Sequence, residues 1–429
     1  MAVPALKLDG ARALLAAWPD PDGAPWARLA RGAAARRLAE MGAPIRRDEY
    51  WRFTDPATLI EQPARPAPVH PRPDILPFDS VERVRLVFVD GVFDPALSDP
   101  MALAGVEIEP LAEALATDIH WARELFGVLE ARGQAPVERP FAALNTARAG
   151  EGMVIRVTGR AERPVSLVYR HSSAESEAML HHIVRLEPGA DLTLLENGAG
   201  AARLNSVLEV DIAEDAAFHH VRTQGRAHDR RAATAIFARL DARASFKSFT
   251  LTANGRLTRN ECVIAFEGDD AHARVAGASL GDGDFHHDDT VFVTHGAVNC
   301  ESRQVFKKVL RNGATGVFQG KILVKPAAQK TDGYQISQAL LLDEDSQFLA
   351  KPELEIYADD VACSHGSTCG AVDETALFYL TSRGIPRAEA EGLLVLAFLD
   401  EAIAEIEDRR LAEDVRGRLA DWLARRGRG

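Results

Sequence analysis

The sequence is poor in cysteine and lacks long hydrophobic runs, and both features narrow the class of protein. Its 429 residues include only four cysteines, which form no C-x-x-C pair: Cys262, Cys300, Cys363 and Cys369. This spacing predicts neither a disulfide framework nor a zinc knuckle. The apolar run Leu393–Leu399 is far shorter than the ~18 residues that a membrane-spanning helix needs. The amino-terminal residues have no basic segment followed by an apolar one, so we expect no signal peptide.

An excess of positive charge is also missing. Asp and Glu number 63 against 50 Lys and Arg, which gives a formal net charge of −13 at pH 7. The phosphates of nucleic acid and an anionic membrane surface would repel such a chain, so neither is expected as a partner. The hydrophobic share of 46% is ordinary for a globular protein, and the length allows two or three units with a large core. We therefore expect an acidic, soluble, cytoplasmic protein.

The first 150 residues are predicted to form a mainly helical region. Ala, Leu and Arg dominate up to about residue 60, and Ala102–Leu129 again has helical character. Between these segments lie a proline-rich linker, Pro63–Pro77, and a small predicted hairpin around Gly91. Proline removes a backbone donor and fixes its φ angle, so the linker is expected to be neither helix nor strand.

Residues 151–374 change to the alternating pattern of β-strands and contain an internal repeat. An apolar residue is followed four or five positions later by a small one, and successive pairs start 26 to 28 residues apart: Leu186 and Ala190, Ile212 and Ala216, Leu240 and Ala244, Phe266 and Ala271, Val293 and Ala297. Two β-runs per unit without a helical period predict a parallel β-solenoid, in which each unit makes one coil. About eight coils at ~4.8 Å per step would give a stack roughly 40 Å long. An antiparallel sandwich with similar turn spacing is the alternative.

Residues 375–429 return to a helical pattern. Arg387–Glu407 carries more apolar side chains than a helix facing a single core requires, among them Leu393, Leu396 and Phe398. Two interpretations stay open. The helix packs on the end of the solenoid, or part of its apolar surface binds a partner protein.

Three adjacent histidine pairs occur in the strand-rich region: His181-His182, His219-His220 and His286-His287. Neighbours on a strand point to opposite faces, so each pair offers at most one ligand per face. Stacked coils would be able to align His182, His220 and a later histidine into a ladder, and the segment from Phe285 to His295 is the richest in potential ligands. We favour solvated strand faces over metal binding for these pairs.

Cys363-Ser364-His365 ends the best-patterned run of strands, Thr315–Gly370. Residues i and i+2 of a strand share a face, so the thiol and the imidazole are expected side by side, about 7 Å apart along the strand. Such a pair suits a soft or borderline metal, but two ligands do not complete a tetrahedral site. The other ligands would have to come from elsewhere, most simply across an interface. From the residues alone, we favour a buried structural pair over a metal site.

These segments resemble the SufB/SufD family of iron–sulfur cluster assembly proteins. The resemblance is densest over residues 306–399, in FQGKILVKPAAQKTDGYQISQALLL, KPELEIYADDVACSHGS and LFYLTSRGIPRAEAEGLL. It extends more weakly to LVFVDGVFDPALS, FAALN and DEYWRFTDP, so most of the chain is covered. The SufD branch is more similar than the SufB branch, because the sequence reads Cys-Ser-His-Gly where SufB has a Cys-Glu-His-Glu type, and the amino-terminal cysteine cluster common in SufB is missing.

The resemblance implies an all-β core, a right-handed parallel β-helix, flanked by N-terminal and C-terminal α-helical regions. It also implies a non-catalytic scaffold that pairs with a SufB paralogue, binds the SufC ATPase, forms a homodimer when isolated, and supports de novo cluster assembly and iron acquisition. By the same resemblance, His365 would face a SufB cysteine and Cys363 would be its neighbour. Nascent cluster or iron would then lie at the interface, with no cofactor on the isolated chain. The helices after Thr375, with Leu393, Leu396 and Phe398, would dock SufC.

Two residues depart from the family pattern near this site. Ser367 stands where the family usually has alanine, and Cys369 is unexpected, either as a bystander or as a local ligand. A SufB-like cluster-building subunit is the nearest alternative function. A carbohydrate-active β-helix enzyme such as a lyase is the alternative from another class, and such an enzyme is expected to be secreted.

Overall fold

The structure, a computed structural model, describes residues 3–70, 77–225 and 228–426, so the predicted linker Pro63–Pro77 lies partly outside the described residues. The strands in chain order are β1 (Val84–Val89), β2 (Val92–Phe93), β3 (Val106–Pro110), β4 (Met153–Val157), β5 (Val165–Arg170), β6 (Glu177–Leu186), β7 (Asp191–Gly198), β8 (Arg203–Ile212), β9 (Ala217–Gln224), β10 (Arg231–Leu240), β11 (Ser245–Ala253), β12 (Leu257–Phe266), β13 (His272–Asp282), β14 (His286–His295), β15 (Glu301–Arg311), β16 (Thr315–Val324), β17 (Thr331–Leu341), β18 (Gln347–Ile356) and β19 (Val361–Gly370). The α-helices are α1 (Ala5–Ala17), α2 (Pro25–Met41), α3 (Ala57–Ile60), α4 (Leu111–Ala116), α5 (Val128–Arg132), α6 (Pro140–Arg148), α7 (Glu374–Thr381), α8 (Arg387–Ile403) and α9 (Arg409–Arg426), with short 3-10 helices at Glu49–Trp51 and Trp121–Glu124.

Two long sheets form the centre of the molecule. Within the described residues, the odd sheet contains β5 to β19 in alternate order and ends in β1 and β2, whereas the even sheet contains β4 to β18 and ends in β3. From β4 onward, each strand pairs in parallel with the strand two positions along the chain. This is a parallel β-solenoid, so the predicted fold class is confirmed and the antiparallel sandwich is excluded. The eight rungs of each sheet are separated by seven turns, one fewer than the eight coils predicted.

The inner faces of the two sheets form a continuous apolar core. Leu186, Ile212, Leu240 and Phe266 occupy one inner column of the even sheet, each in register with the next. None of them is more than 1% exposed. Full burial of such a side chain contributes about 2 kcal/mol. The alternation of residue types, from which the strands were predicted, therefore separates side chains that point into the solenoid from those that point out.

The turns after β8, β10, β12, β14 and β16 explain the repeat. Each contains one residue in a left-handed conformation, with φ between 56° and 60°: Asp215, Arg243, Asp270, Asn299 and Lys330. The backbone N–H of each of these residues donates to a carbonyl of the following coil, as from Asp215 to Ala242 and from Asp270 to Val298. The small residue of the repeat follows directly and points inward.

One pair of the predicted repeat is out of register. Phe266 aligns with His295, and the rung that begins at His272 aligns with Glu301, so the structural equivalents of Phe266 and Ala271 are His295 and Cys300. The predicted pair Val293 and Ala297 is therefore wrong. The turns lengthen by one residue along the stack. A spacing that is counted from the earlier units therefore reaches Val293, which lies in the neighbouring inner column, instead of His295.

The N-terminal region covers the outer face of the even sheet. Trp51 contacts Phe141 with ring centroids 5.5 Å apart, and the guanidinium of Arg259 on β12 lies 4.1 Å from the Trp51 ring. The helical prediction for Ala102–Leu129 is wrong for its first part. Val106–Pro110 forms β3, which pairs antiparallel with β4. Val106 is buried in the apolar core, so this strand covers the inner face of the first coil.

The C-terminal helices lie along the outer face of the odd sheet and do not cover the end of the solenoid. Val395 and Leu399 of α8, together with Val415 of α9, pack against Phe249 and Val309 of that sheet. Much of the apolar surface of α8 thus belongs to a second core. No α-helix in the described ranges is long and apolar enough to cross a membrane.

Gly198 and Gly189 provide a test of the coil geometry. Gly198 has a φ of 116°, and a Cβ added there would overlap the carbonyl oxygen of Tyr169 on the neighbouring rung; Gly189 has a φ of 73° and open space around it. We expect Gly189→Ala to lower the free energy of unfolding by about 1 kcal/mol, from backbone strain alone. Gly198→Ala is expected to cost at least about 3 kcal/mol, because strain and overlap add. Urea denaturation of both variants measures the difference, and equal losses would contradict the close packing of coils.

Candidate functional site

The last strand of the solenoid, β19, carries the predicted thiol and imidazole. It pairs with β17 in the register Gly333 to Cys363 and Gln335 to His365. Gln335 is fully buried inside the solenoid, and paired residues of parallel strands point to the same side of a sheet. Cys363 and His365 therefore share the inner face of the terminal coil.

The inner face of this coil is open. Cys363 is half-buried and His365 is exposed, although the residues that lie beneath them are buried. Ile356 and Tyr357, at the end of β18, are 40% and 59% exposed. The free edges of β18 and β19 also present unpaired backbone N–H and C=O groups. Such edges can pair with a strand of another chain.

Cys363 is held in a small apolar niche. Like Leu354 and Val361, it packs against a buried apolar cluster that contains Ile322 and Val324. A Cβ added at Gly333 would lie 3.2 Å from the Cys363 sulfur, so glycine at that position provides the space. Burial raises the pKa of the Cys363 thiol, while a hydrogen bond from the Gly333 backbone lowers it. The free thiol is thus protonated at neutral pH, and a bound metal cation would displace the proton.

The ligand set on this chain is incomplete. Across the described ranges, no group of three or more His, Cys, Asp or Glu side chains is placed to hold a metal ion. Cys369 shares the face of His365 but stands four residues farther along β19, about 13 Å away. Its thiol therefore does not extend the pair, and Ser367 lies between them with its hydroxyl 3.1 Å from that of Ser337.

The predicted docking residues of α8 have different environments. Leu393 is 45% exposed, whereas Leu396 and Phe398 are partly buried against the second core. The Lys307 ammonium lies 4.7 Å from the centre of the Phe398 ring.

The neighbouring helix α7 contributes further exposed apolar side chains. Phe378 is 72% exposed and Tyr379 is 60% exposed. We call Phe378, Tyr379 and Leu393 the helical patch. The two α7 residues were missed in the sequence, because a short helix of eight residues gives a weak periodic signal.

The histidine pairs are mostly buried, so the prediction of solvated strand faces is wrong for them. His181 points outward from β6 and bonds to Glu209 and Asn145 beneath the N-terminal region. His182 and His220 both point inward, but from opposite sheets, so they do not form the ladder considered from the sequence.

His182 and His220 instead belong to a hydrogen-bonded chain inside the solenoid. Tyr169 donates to Glu196 over 2.8 Å and lies 3.1 Å from Nε2 of His182. His220 lies 2.7 Å from Glu196 and 2.9 Å from the hydroxyl of Ser248. Polar residues at inward positions of otherwise apolar strands are the sequence signal that would have revealed this hydrogen-bonded network.

Comparisons with known proteins match this chain to iron–sulfur cluster assembly proteins. Residues 169–398 match the family model described as "SUF system FeS cluster assembly, SufBD core domain". The iron–sulfur cluster assembly protein SufD of Escherichia coli is 27% identical over 408 residues, covering 90% of this chain and 91% of that protein. A SufBD family protein of Synechocystis is 28% identical over 88% of this chain and 86% of its own length. SufD of Bacillus subtilis is 26% identical over 281 residues, 63% of each chain.

The buried histidines make the stability of the fold dependent on pH. Burial lowers the pKa of His182 to about 4. Above pH 6.5 the ring is neutral in both folded and unfolded chains, so its contribution is fully present; the contribution is lost as the pH falls from 6.5 toward 4. Between pH 7 and pH 5 we expect the wild type to lose about 2 kcal/mol more than His182→Gln does. Urea denaturation at the two pH values measures this, and parallel losses would show that His182 is not held neutral.

Proposed function

Because the chain belongs to the SufBD family of iron–sulfur cluster assembly proteins, we propose that it is a non-catalytic scaffold subunit on which clusters are built. The observation that supports this proposal best is the open terminal coil. It presents a soft thiol and an imidazole from the inner face, where a second chain can reach both. The cluster is the cargo of this site.

The partner at the open coil is proposed to be a SufB paralogue. Two ligands do not complete the coordination of a metal, so the remainder must come from the chain that covers them. The free edges of β18 and β19 favour a partner that adds strands to both sheets, as another solenoid of this family would do. The same surface would allow two copies of this chain to pair when the paralogue is absent.

The helical patch is proposed as the docking surface for the SufC ATPase. Phe378, Tyr379 and Leu393 expose apolar area on two helices that are in contact with each other. Large exposed apolar side chains in such a cluster are typical of protein–protein contacts. Leu396 and Phe398 would support this surface from behind, since both pack against the second core.

The role of His365 can be measured in a reconstituted complex. We expect His365→Ala to lower the rate of cluster formation at least tenfold while the complex remains intact, because one ligand is lost. Ser364→Ala is the matched control, since Ser364 is exposed on the opposite face of the same strand. Normal cluster formation by the intact His365→Ala complex would remove the proposed role of this residue.

The docking proposal requires a variant that does not disturb the second core. Leu393→Asp and Phe378→Asp place a charge on exposed positions, so each should abolish co-purification of the ATPase without lowering the thermal stability of the chain. Val92→Asp is a control with a similarly exposed side chain, 57%, at the other end of the solenoid. Undiminished co-purification with both helical variants would place the ATPase elsewhere.

A further inference from the structure

Two glutamines form a ladder inside the last coils, directly beneath His365. Gln304 on β15 and Gln335 on β17 are in register, and both are fully buried. Nε2 of Gln335 donates to Oε1 of Gln304 over 2.8 Å. Oε1 of Gln335 is also buried, and no group in the described part of the chain donates a hydrogen bond to it.

The next position of this ladder is His365. In an amide ladder each rung donates to the rung on one side and accepts from the rung on the other side. His365 is in register with Gln335, about 4.8 Å farther along the stack. The neighbouring column already makes the corresponding contact, because the hydroxyl of Ser337 lies 3.1 Å from that of Ser367.

His365 is also the strongest donor that the terminal coil offers. The inward residues of β18 are apolar: Phe348, Ala350, Pro352, Leu354 and Ile356. On β19 the inward residues besides His365 are Val361, Ser367 and two cysteines, whose thiols are weak donors. Ser367 is already paired with Ser337. The imidazole N–H is therefore the natural partner of the Gln335 oxygen.

The Gln335 amide is held in a fixed place. It extends across the interior to the even sheet, where it meets Gly320. A Cβ added at Gly320 would overlap the amide, so the glycine of the Phe318-Gln319-Gly320-Lys321 segment makes room for it. An acceptor that is fixed in this way can orient a neighbouring ring without moving itself.

We propose that Gln335 is the positioning residue of His365. Its Oε1 accepts a hydrogen bond from one ring nitrogen of His365, which fixes the tautomer and turns the other nitrogen toward the metal. Buried acceptors without partners are unfavourable, so we expect this bond to form when the terminal coil is covered. Hydrogen bonds of this kind usually orient the histidine ligands of metals. The inference rests on the proposed function of His365, and it adds that this function requires the acceptor of Gln335.

The test uses the full-length chain with ¹⁵N-labelled histidine, alone and covered by its partner. In the wild type we expect the His365 ring nitrogens to report one tautomer. Gln335→Met fills the same space without an acceptor, so the ring should move toward the tautomer mixture of free imidazole. Gln335→Glu keeps an oxygen acceptor for the ring but loses the donor to Gln304, so it should hold the ring hydrogen-bonded and move its signals away from those of Gln335→Met. Identical ring signals in wild type and Gln335→Met, both alone and covered, would overturn the proposal.

A second readout is the binding of Co²⁺ to the full-length chain, followed by its visible absorption. Gln335→Met should weaken binding about tenfold, and Gln335→Glu should recover most of the loss. Gln224→Met is the matched control, because Gln224 is another buried amide in the interior, far from β19. It should lower stability without altering Co²⁺ affinity or the His365 signals.

Failure of this inference is distinguishable from failure of the proposed function. If His365→Ala stops cluster formation while Gln335→Met changes neither tautomer nor assembly, His365 keeps its role and Gln335 loses its own. If His365→Ala has no effect, the proposed function fails whatever the ring signals show.

Discussion

The register between neighbouring coils is the constraint on which the rest of the structure depends. Parallel backbone ladders fix each strand against the strand two positions along, and a left-handed residue in the five turns after β8 to β16 repeats the same link between coils. Because this register is kept to the end of the stack, the column of every inner residue follows from its place in the chain. His365 lies over Gln335 and Gln304 for this reason. The outer faces are equally regular, and each supports a layer of helices.

The polar groups of the interior add specificity to that register. An apolar column tolerates small shifts, whereas a buried network loses its hydrogen bonds when one strand moves by a residue. Asn260 illustrates this, since its side chain contacts Gln224, Thr234 and His287 from three different strands. Lys308 then joins His287 to Asp289. The interior thus combines apolar columns, which supply most of the burial, with polar contacts that permit one alignment of the coils.

The sequence predicted the architecture because its repeat and its alternation have direct physical causes. The face shared by Cys363 and His365 also followed from strand geometry alone. Other features depend on contacts between distant segments, which no local pattern carries. The burial of His181 requires the N-terminal region, and the environment of Phe398 requires the odd sheet. The register error at Val293 arose because one added turn residue moves every later count.

The two ends of the solenoid differ in the strands that they present to another chain. Among the strands that the structure describes, the amino-terminal ends of the sheets finish in β2 and β3, which are short and antiparallel to their neighbours. The other end finishes in two ten-residue parallel strands. A contact in which like surfaces meet through a two-fold axis is closed after two subunits, whereas a head-to-tail contact would continue into a fibre. The short antiparallel strands of the first coil do not match the long parallel strands of the last coil, so a contact between two last coils would be of the closed kind.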